Sequence, residues 1–203
     1  MTRISLSRRL ALTGAALLGV TLLAAGCGSS DKGSGGHDMG NMGSGTSTAG
    51  SNAQAFNDAD VMFAQGMIPH HQQAVEMADL AATGATDPEV KQLAAQIKAA
   101  QDPEIKTMTG WLQSWGKPTA MPGGHSMPGM MADADMTKLK AARGKDFDRM
   151  FAQMMITHHN GAIQMARDEQ SNGKNADAKA LAKNIADSQQ AEVATLQKIV
   201  DRL

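Results

Sequence analysis

The chain has 203 residues, with 19 Lys and Arg, 20 Asp and Glu, and a formal net charge of −1 at pH 7. This balance excludes nucleic-acid binding through a strongly basic surface. The single cysteine, Cys27, excludes an intrachain disulfide and a metal site built from several thiolates. The chain contains 16 Met and no Tyr. Since methionine also fills adaptable cores, the positions of these residues must show which are ligands.

The first 26 residues have the features of an export signal. Three arginines lie within the first nine residues, and the apolar run over 10–23 is short for a membrane span. Residues 23–27, Leu-Ala-Ala-Gly-Cys, resemble a bacterial lipobox, which implies cleavage before Cys27 and lipidation of that residue. The paired arginines at 8–9 leave the general and the twin-arginine export routes both open. We therefore expect a signal peptide over 1–26 and an extracytoplasmic protein anchored to the bacterial membrane.

The next segment, 27–56, is rich in Gly and Ser and has almost no bulky apolar side chains. Such a composition cannot offset the entropy lost on ordering, so it predicts a flexible tether. Residues 37–42, His-Asp-Met-Gly-Asn-Met, are either a small ligand patch or part of the tether composition by chance. Removal of 1–26 leaves 16 basic and 20 acidic groups, so the remaining chain is mildly acidic.

A helical pattern begins near residue 57 and continues through most of the remaining chain. Asn and Asp at 57–58 can cap the first helix, and Asp87-Pro88 is a clear start for the second. Pro and Gly interrupt the segment 116–136. The predicted helices cover about 57–83, 87–115, 145–171 and 175–203, with a short one over 137–142.

Two short motifs combine soft thioethers with imidazoles. Residues 67–71 read Met-Ile-Pro-His-His and residues 155–159 read Met-Ile-Thr-His-His; each histidine pair is followed six residues later by another methionine. On a helix these side chains share one stripe. Thioethers together with imidazoles favour Cu(I) and Ag(I), and the lack of carboxylates disfavours Mg and Ca. The candidate metal ligands are Met67, His70, His71, Met77, Met155, His158, His159 and Met165.

The second half of the helical region repeats the first at a constant offset of 88 residues. The register includes Phe63 with Phe151, and it continues through the partner helices, where Glu104 matches Glu192. Two repeated helical hairpins joined by a long crossover predict an all-α, ferritin-like four-helix bundle. The expected domain is 57–203, with repeat 1 over 57–115, a linker over 116–144 and repeat 2 over 145–203.

The doubled motif resembles the bacterial domain-of-unknown-function family 305. That family carries a methionine before paired histidines, a methionine six residues after them, and Gln and Glu three residues apart on the partner helix. The resemblance covers about 57–203 and implies a ferritin-like, exported or lipid-anchored domain. It also implies copper binding linked to copper tolerance, as in some relatives, while Pro103 beside Glu104 departs from the family pattern.

The partner helices supply the polar residues expected to face the histidines. If the hairpins close as predicted, their carboxyl and amide groups accept imidazole N–H groups and fix the tautomers. The alternative is that the same His–Glu and His–Gln pairs hold the core together without metal. These residues are Gln101, Glu104, Gln189 and Glu192. We assign Met62, Met108, Met150 and Met154 to packing.

The crossover contains a second cluster of soft ligands. It resembles the Met- and His-rich segments of exported copper chaperones, and it is either a collector that feeds the bundle or a plain linker. The candidate auxiliary ligands are Met121, His125, Met127, Met130 and Met131.

Three functions from different classes are open at this point. The first is a lipid-anchored protein that sequesters or delivers Cu(I) or Ag(I). The second is a ferritin-like di-metal oxidase or peroxidase, although Met67 and Met155 occupy the places where such sites carry a glutamate three residues before histidine. The third is a structural envelope module that serves a partner protein.

Overall fold

The computed structural model describes residues 55–121 and 127–203, which contain helices and connecting loops. The prediction of an all-α bundle is confirmed. Four long helices begin and end within a few residues of the expected positions. The helices are α1 (Asp58–Gly84), α2 (Pro88–Ser114), α3 (Asp133–Ala141), α4 (Gly144–Asn172) and α5 (Ala176–Arg202).

Several predictions concern residues outside the described ranges. These are the signal peptide, the lipidation of Cys27, nearly all of the tether with its patch at 37–42, and the role of His125. In the part of the chain that the structure describes, no helix has both the length and the apolar character needed to cross a membrane.

Local sequence signals explain where three of the four long helices begin, whereas α4 starts after Arg143 without a side-chain cap. Asn57 forms a capping box with Asp60 at the start of α1. Asp87 accepts the backbone N–H groups of Glu89 and Val90, with proline at the first position of α2. Asn175 caps α5 in the same way. These caps satisfy backbone donors that have no partner within the helix.

The short helix in the crossover differs from its prediction. It starts at Asp133, four residues before the expected start, and its N-cap residue Ala132 makes no side-chain cap. Asp133 and Asp135 in its first turn, and Lys138 and Lys140 in its last, complement the helix dipole. The ends of this helix are therefore stabilised by the distribution of charged residues rather than by a capping side chain.

Helix α1 packs against α2, and α4 packs against α5; a short turn joins the two helices of each pair. The two pairs contact each other mainly through α1 and α4. Helix α1 begins beside the turn that follows α4, because Asp60 accepts the N–H groups of Lys174 and Asn175 at 3.0 and 2.9 Å. Its counterpart Asp148 accepts those of Thr86 and Asp87, both at 3.0 Å. Helices α1 and α4 are therefore antiparallel, and each buried aspartate holds the turn of the other pair.

The buried apolar residues form two separate clusters. Cluster 1 contains Met77, Ile97, Phe151 and Leu196, and cluster 2 contains Met67, Met108, Ala166 and Ile185. On every long helix the two clusters occupy different stretches, with polar residues between them. The bundle therefore has a polar layer at mid-height between two apolar cores.

Candidate metal centre

The polar layer contains all four histidines of the two motifs. His70, His71, His158 and His159 are each 0% exposed. The rings of His70 and His158 meet at the crossing of α1 and α4, with centroids 3.7 Å apart. Two sequence-distant histidine pairs thus lie together in the interior.

Three of these rings donate their Nε2–H to an oxygen. His71 donates to Glu104 Oε2 at 2.8 Å, and His159 donates to Glu192 Oε2 at 2.6 Å. His70 Nε2 lies 3.0 Å from the carbonyl oxygen of Pro128, which can only accept. These contacts place a proton on Nε2, and in the neutral form of such a ring Nδ1 carries the lone pair.

The other nitrogens of the layer lack protein partners. Within the described ranges, Nδ1 of all four histidines and Nε2 of His158 have no hydrogen-bond partner. The Oε1 atoms of Gln101 and Gln189, which are 2% and 3% exposed, are also without one. A buried polar atom without a partner costs about 1–3 kcal/mol. A cation is one partner that would satisfy such buried lone pairs.

The electrostatic environment keeps the central pair neutral. Burial lowers the pKa of His70 to about 3, and the neighbouring His71 adds to this effect. Burial and the adjacent His70 lower the pKa of His158 as well. Both rings are therefore uncharged at neutral pH, the form in which imidazole binds metals.

The four methionines of the motifs lie on both sides of the histidines. Met67 is buried in cluster 2, and Met77 and Met155 are buried in cluster 1. Met165 is only partly buried, against cluster 2. Thioethers therefore lie above and below the layer. In the described ranges, no three His, Cys, Asp or Glu side chains are grouped to hold one ion, so the candidate site depends on these thioethers.

The glutamine and glutamate residues of the partner helices occupy the same layer. The Glu104 and Glu192 side chains are each 19% exposed. Pro103, the departure noted in the sequence, lies inside a continuous α2, and Glu104 still contacts His71.

The structure divides the auxiliary cluster of the crossover. Met121, Met127 and Met130 line a cavity of about 730 Å³ with Pro69. Met131 packs against cluster 1 instead. The assignment of Met62 to packing is wrong, because this side chain is 61% exposed, whereas the Met108 side chain is fully buried.

Sequence reasoning missed how the crossover covers the centre. Gln73 binds the main chain of Met131 at both ends of its amide, with distances of 2.9 and 2.7 Å. A Cβ at Gly161 would lie 2.0 Å from the Pro128 oxygen, so only glycine permits this approach. The crossover residues 127–131, called the strap below, lie over His70. The sequence gives no sign of which backbone carbonyl accepts a hydrogen bond. One signal was present: Gln73 and Gly161 occupy equivalent positions of the repeat, and they are different residues.

Solved structures of similar proteins share this fold. A DUF305 protein from Streptomyces coelicolor, named as secreted, is 34% identical with a TM-score of 0.68, over 71% of this chain and 93% of that one. A DUF305 fragment from Deinococcus radiodurans is 28% identical with a TM-score of 0.66, over 72% and 98%. CopM in its Cu(I)-bound form is 33% identical with a TM-score of 0.61, over 70% and 96%. CopM structures with Cu(II) and with Ag are also similar.

Two further matches concern sequence. Protein L153 of Acanthamoeba polyphaga mimivirus is 42% identical over 59 residues, which are 29% of this chain and 38% of that protein. The family model described as domain of unknown function (DUF305) matches residues 60–200. This match covers nearly the whole helical bundle, including both motifs. The chain therefore belongs to the DUF305 family.

Proposed function

We propose that this protein binds Cu(I) or Ag(I) at the polar layer. The observation that carries the proposal is the set of buried Nδ1 atoms on His70, His71, His158 and His159, which have no hydrogen-bond partner in the described ranges. Three of these rings are fixed by their Nε2–H contacts in the orientation that presents Nδ1. Metal ligation by one ring nitrogen, with a hydrogen bond from the other, is the usual arrangement for histidine.

The chemistry of the donors favours a soft monovalent ion. Neutral imidazoles with Met67, Met77, Met155 and Met165 nearby provide nitrogen and sulfur donors. The binding of Cu(I) and Ag by CopM, a relative with the same fold, supports this choice. Gln101, Glu104, Gln189 and Glu192 would orient the rings.

The location of the protein is part of the proposal. Residues 1–26 would direct export, and lipidated Cys27 would anchor the bundle to the membrane through the tether 27–56. The secreted relative from Streptomyces coelicolor supports an extracytoplasmic location. Outside the cytoplasm, the bundle would sequester Cu(I) or Ag(I) or pass it on.

Metal selectivity is the direct test of binding. Native mass spectrometry of the purified protein with Cu(I), Ag(I), Zn(II) and Fe(II) should show retention of the two monovalent ions. Chelator competition should show that replacement of His70 and His158 by alanine removes most uptake, and circular dichroism should verify that the variant stays folded. No uptake of Cu(I) or Ag(I) by the intact protein would contradict the proposal.

A second experiment tests the anchor. Mass spectrometry of the protein from bacterial membranes should show a lipid-modified Cys27 as the first residue. Cys27→Ser should release the protein from the membrane fraction. An unmodified chain that starts at residue 1 would disprove the anchor while leaving metal binding intact.

A further inference from the structure

A second pocket, separate from the histidine layer, is lined by four thioethers. Its volume is about 400 Å³, and its lining includes Met62, Met121, Met127 and Met165 together with Glu169. The first three were assigned above to packing or to the auxiliary cluster, and only Met165 belongs to the repeated motif. The structure therefore combines methionines from α1, the crossover and α4 with two carboxyl groups, the buried Glu169 and the exposed Asp168.

The carboxyl group of Glu169 lacks a donor. It is 2% exposed, and neither of its oxygens has a hydrogen-bond partner among the residues that the structure describes. The neighbouring carboxylate is Asp60, whose oxygens already accept backbone N–H groups from Asn57, Lys174 and Asn175. Burial and the neighbouring Asp60 carboxylate raise the pKa of Glu169 to about 8, while the charge of Lys179 opposes this rise.

The internal repeat provides a control for this pocket. At the opposite end of the bundle, Phe147 stands where Ala59 stands here, and its ring lies 2.4 Å from the Cβ position of Gly84. Glu169 corresponds to Ala81, which is buried in cluster 1. At that end of the bundle, the large Phe147 ring and the small apolar Ala81 thus close the space that corresponds to the pocket. The substitutions at this end open a cavity and add an acid.

Gly66 makes room for the methionines of the crossover. A Cβ at Gly66 would lie 3.1 Å from Met127 Sδ and 3.6 Å from Met121 Cε. Its counterpart in the second repeat is Met154, whose side chain is buried in cluster 1. The missing side chain at residue 66 therefore lets the crossover supply the thioethers of the pocket.

We propose that this pocket is a second binding site for Cu(I) or Ag(I), formed by Met62, Met121, Met127, Met165 and Glu169. Thioethers select a soft monovalent ion, and Glu169 would release its proton on binding and so compensate the charge of the ion. Pro128 also lines the pocket, and its carbonyl accepts the Nε2–H of His70. The site is thus adjacent to the buried centre. The proposal takes the identity of the ion from the proposed function, and Met165 is the one donor that the two proposed sites have in common.

Methionine methyl NMR tests the two sites separately. The purified chain, labelled with ¹³C at the methionine methyl groups, is titrated with Ag(I). Ag(I) should shift the methyl signals of Met62, Met121, Met127 and Met165. Signals of Met67 and Met155 report the histidine layer in the same spectra. Shifts confined to Met67 and Met155 would overturn the second site and leave the proposed function standing; no shifts at all would overturn both.

Matched variants then test stoichiometry by native mass spectrometry. M121L/M127L and E169Q should each lose one Ag(I) relative to the unmodified chain. M150L, which changes the repeat counterpart of Met62, should keep the full number. Ala59→Phe copies the closed end of the bundle and should also lose one ion while the helical content is kept. Full Ag(I) stoichiometry in folded M121L/M127L and Ala59→Phe would overturn the proposal.

Discussion

At the residue scale, three of the four histidines of the layer are oriented by an Nε2–H contact, those of His70, His71 and His159. Glu104 lies 33 residues after His71, and Glu192 lies 33 residues after His159, so the same contact is made twice. Each contact fixes the position of the ring proton as well as the ring orientation. The two glutamates should therefore act on metal affinity through the imidazoles.

Replacement of Glu104 or Glu192 by alanine tests this role. We expect each substitution to weaken Cu(I) affinity by about 10–100-fold, because the ring loses the acceptor that fixes its tautomer. Competition with a Cu(I) chelator measures the change. Glu76→Ala, which removes an exposed acid from α1, is the control and should leave the affinity unchanged. An equal affinity in all of these variants would show that the carboxyls serve only packing.

Part of this site follows from the sequence and part does not. The histidines and the two glutamates follow from helical periodicity and the constant repeat offset. The contact of His70 does not, because its acceptor is the main-chain oxygen of Pro128. Any residue carries such an oxygen, so only the course of the crossover decides which one is used. The orphaned acid Glu169 was also missed, because its repeat counterpart is an alanine.

At the element scale, the strap is held against α1 and α4 by two complementary features. The Gln73 amide binds the main chain of Met131, and Gly161 provides the groove for Pro128. Gly129 has φ +79°, and a Cβ there would lie 2.8 Å from the oxygen of Thr157. The backbone of the strap therefore approaches α4 more closely than side chains would permit.

A methyl group at residue 161 should displace the strap. We expect Gly161→Ala to lower the free energy of unfolding by about 1–3 kcal/mol, since the new Cβ would overlap the Pro128 oxygen. Amide hydrogen exchange over 127–131 should become faster. Gly110→Ala is the matched control: no atom lies within 4 Å of its Cβ, and it should stabilise by about 0.5–1 kcal/mol. Unchanged exchange in the folded G161A variant would contradict this account.

The buried aspartates connect the two helical pairs. Asp148 accepts the N–H groups of Thr86 and Asp87 and the hydroxyl of Thr86, the last at 2.7 Å. A sequence pattern identifies an acid near a helix start, but it cannot show that the acid binds a turn 62 residues away. Only the antiparallel packing of α1 and α4 brings these groups together.

Asp148→Ala should destabilise the fold by about 2–3 kcal/mol, because it leaves the donors of a buried turn without an acceptor. Urea unfolding followed by circular dichroism gives the value. Asp146→Ala removes an exposed acid two residues away on α4 and should change stability by less than about 0.5 kcal/mol. Equal losses in the two variants would show that the turn contacts contribute nothing specific.

At the scale of the whole molecule, the end of the chain is tied to the start of α2. Arg202 contacts Asp87 at 2.9 Å and Glu89 at 2.9 Å. The hydrogen bond from Arg202 lowers the pKa of Asp87 to about 2. A carboxyl whose pKa is lowered in the folded state stabilises the fold at every pH above its ordinary pKa of 3.8. This contribution to stability is lost as the pH falls through about 2.

Arg202→Ala should therefore lower Tm at pH 6, and the difference from the unmodified chain should disappear as the pH falls from 3.8 to about 2. Differential scanning calorimetry across this range measures the effect. Lys198→Ala removes an exposed cation from the same helix and should show no such dependence. A Tm difference that persists below pH 2 would contradict the ion pair as its cause.

The overall architecture was predictable because the repeat is so regular. A constant offset of 88 carries the same apolar and polar positions through both halves, and this periodicity fixes four long helices. The crossover breaks the repeat and has no partner from which its course could be read. The true start of its short helix, the position of its strap and the separation of its methionines therefore became known only from the structure.

The two apolar clusters each draw on both halves of the sequence. Cluster 1 contains Ile97 of α2 and Leu196 of α5, and cluster 2 contains Met108 of α2 and Ile185 of α5. Neither hairpin therefore forms a complete core by itself. A hairpin on its own would leave half of each cluster in water, and a second copy related by twofold symmetry is the simplest partner that covers it. The present chain is thus built like a homodimer fused end to end. Such a fusion frees each half to diverge, as Ala59 and Phe147 have done.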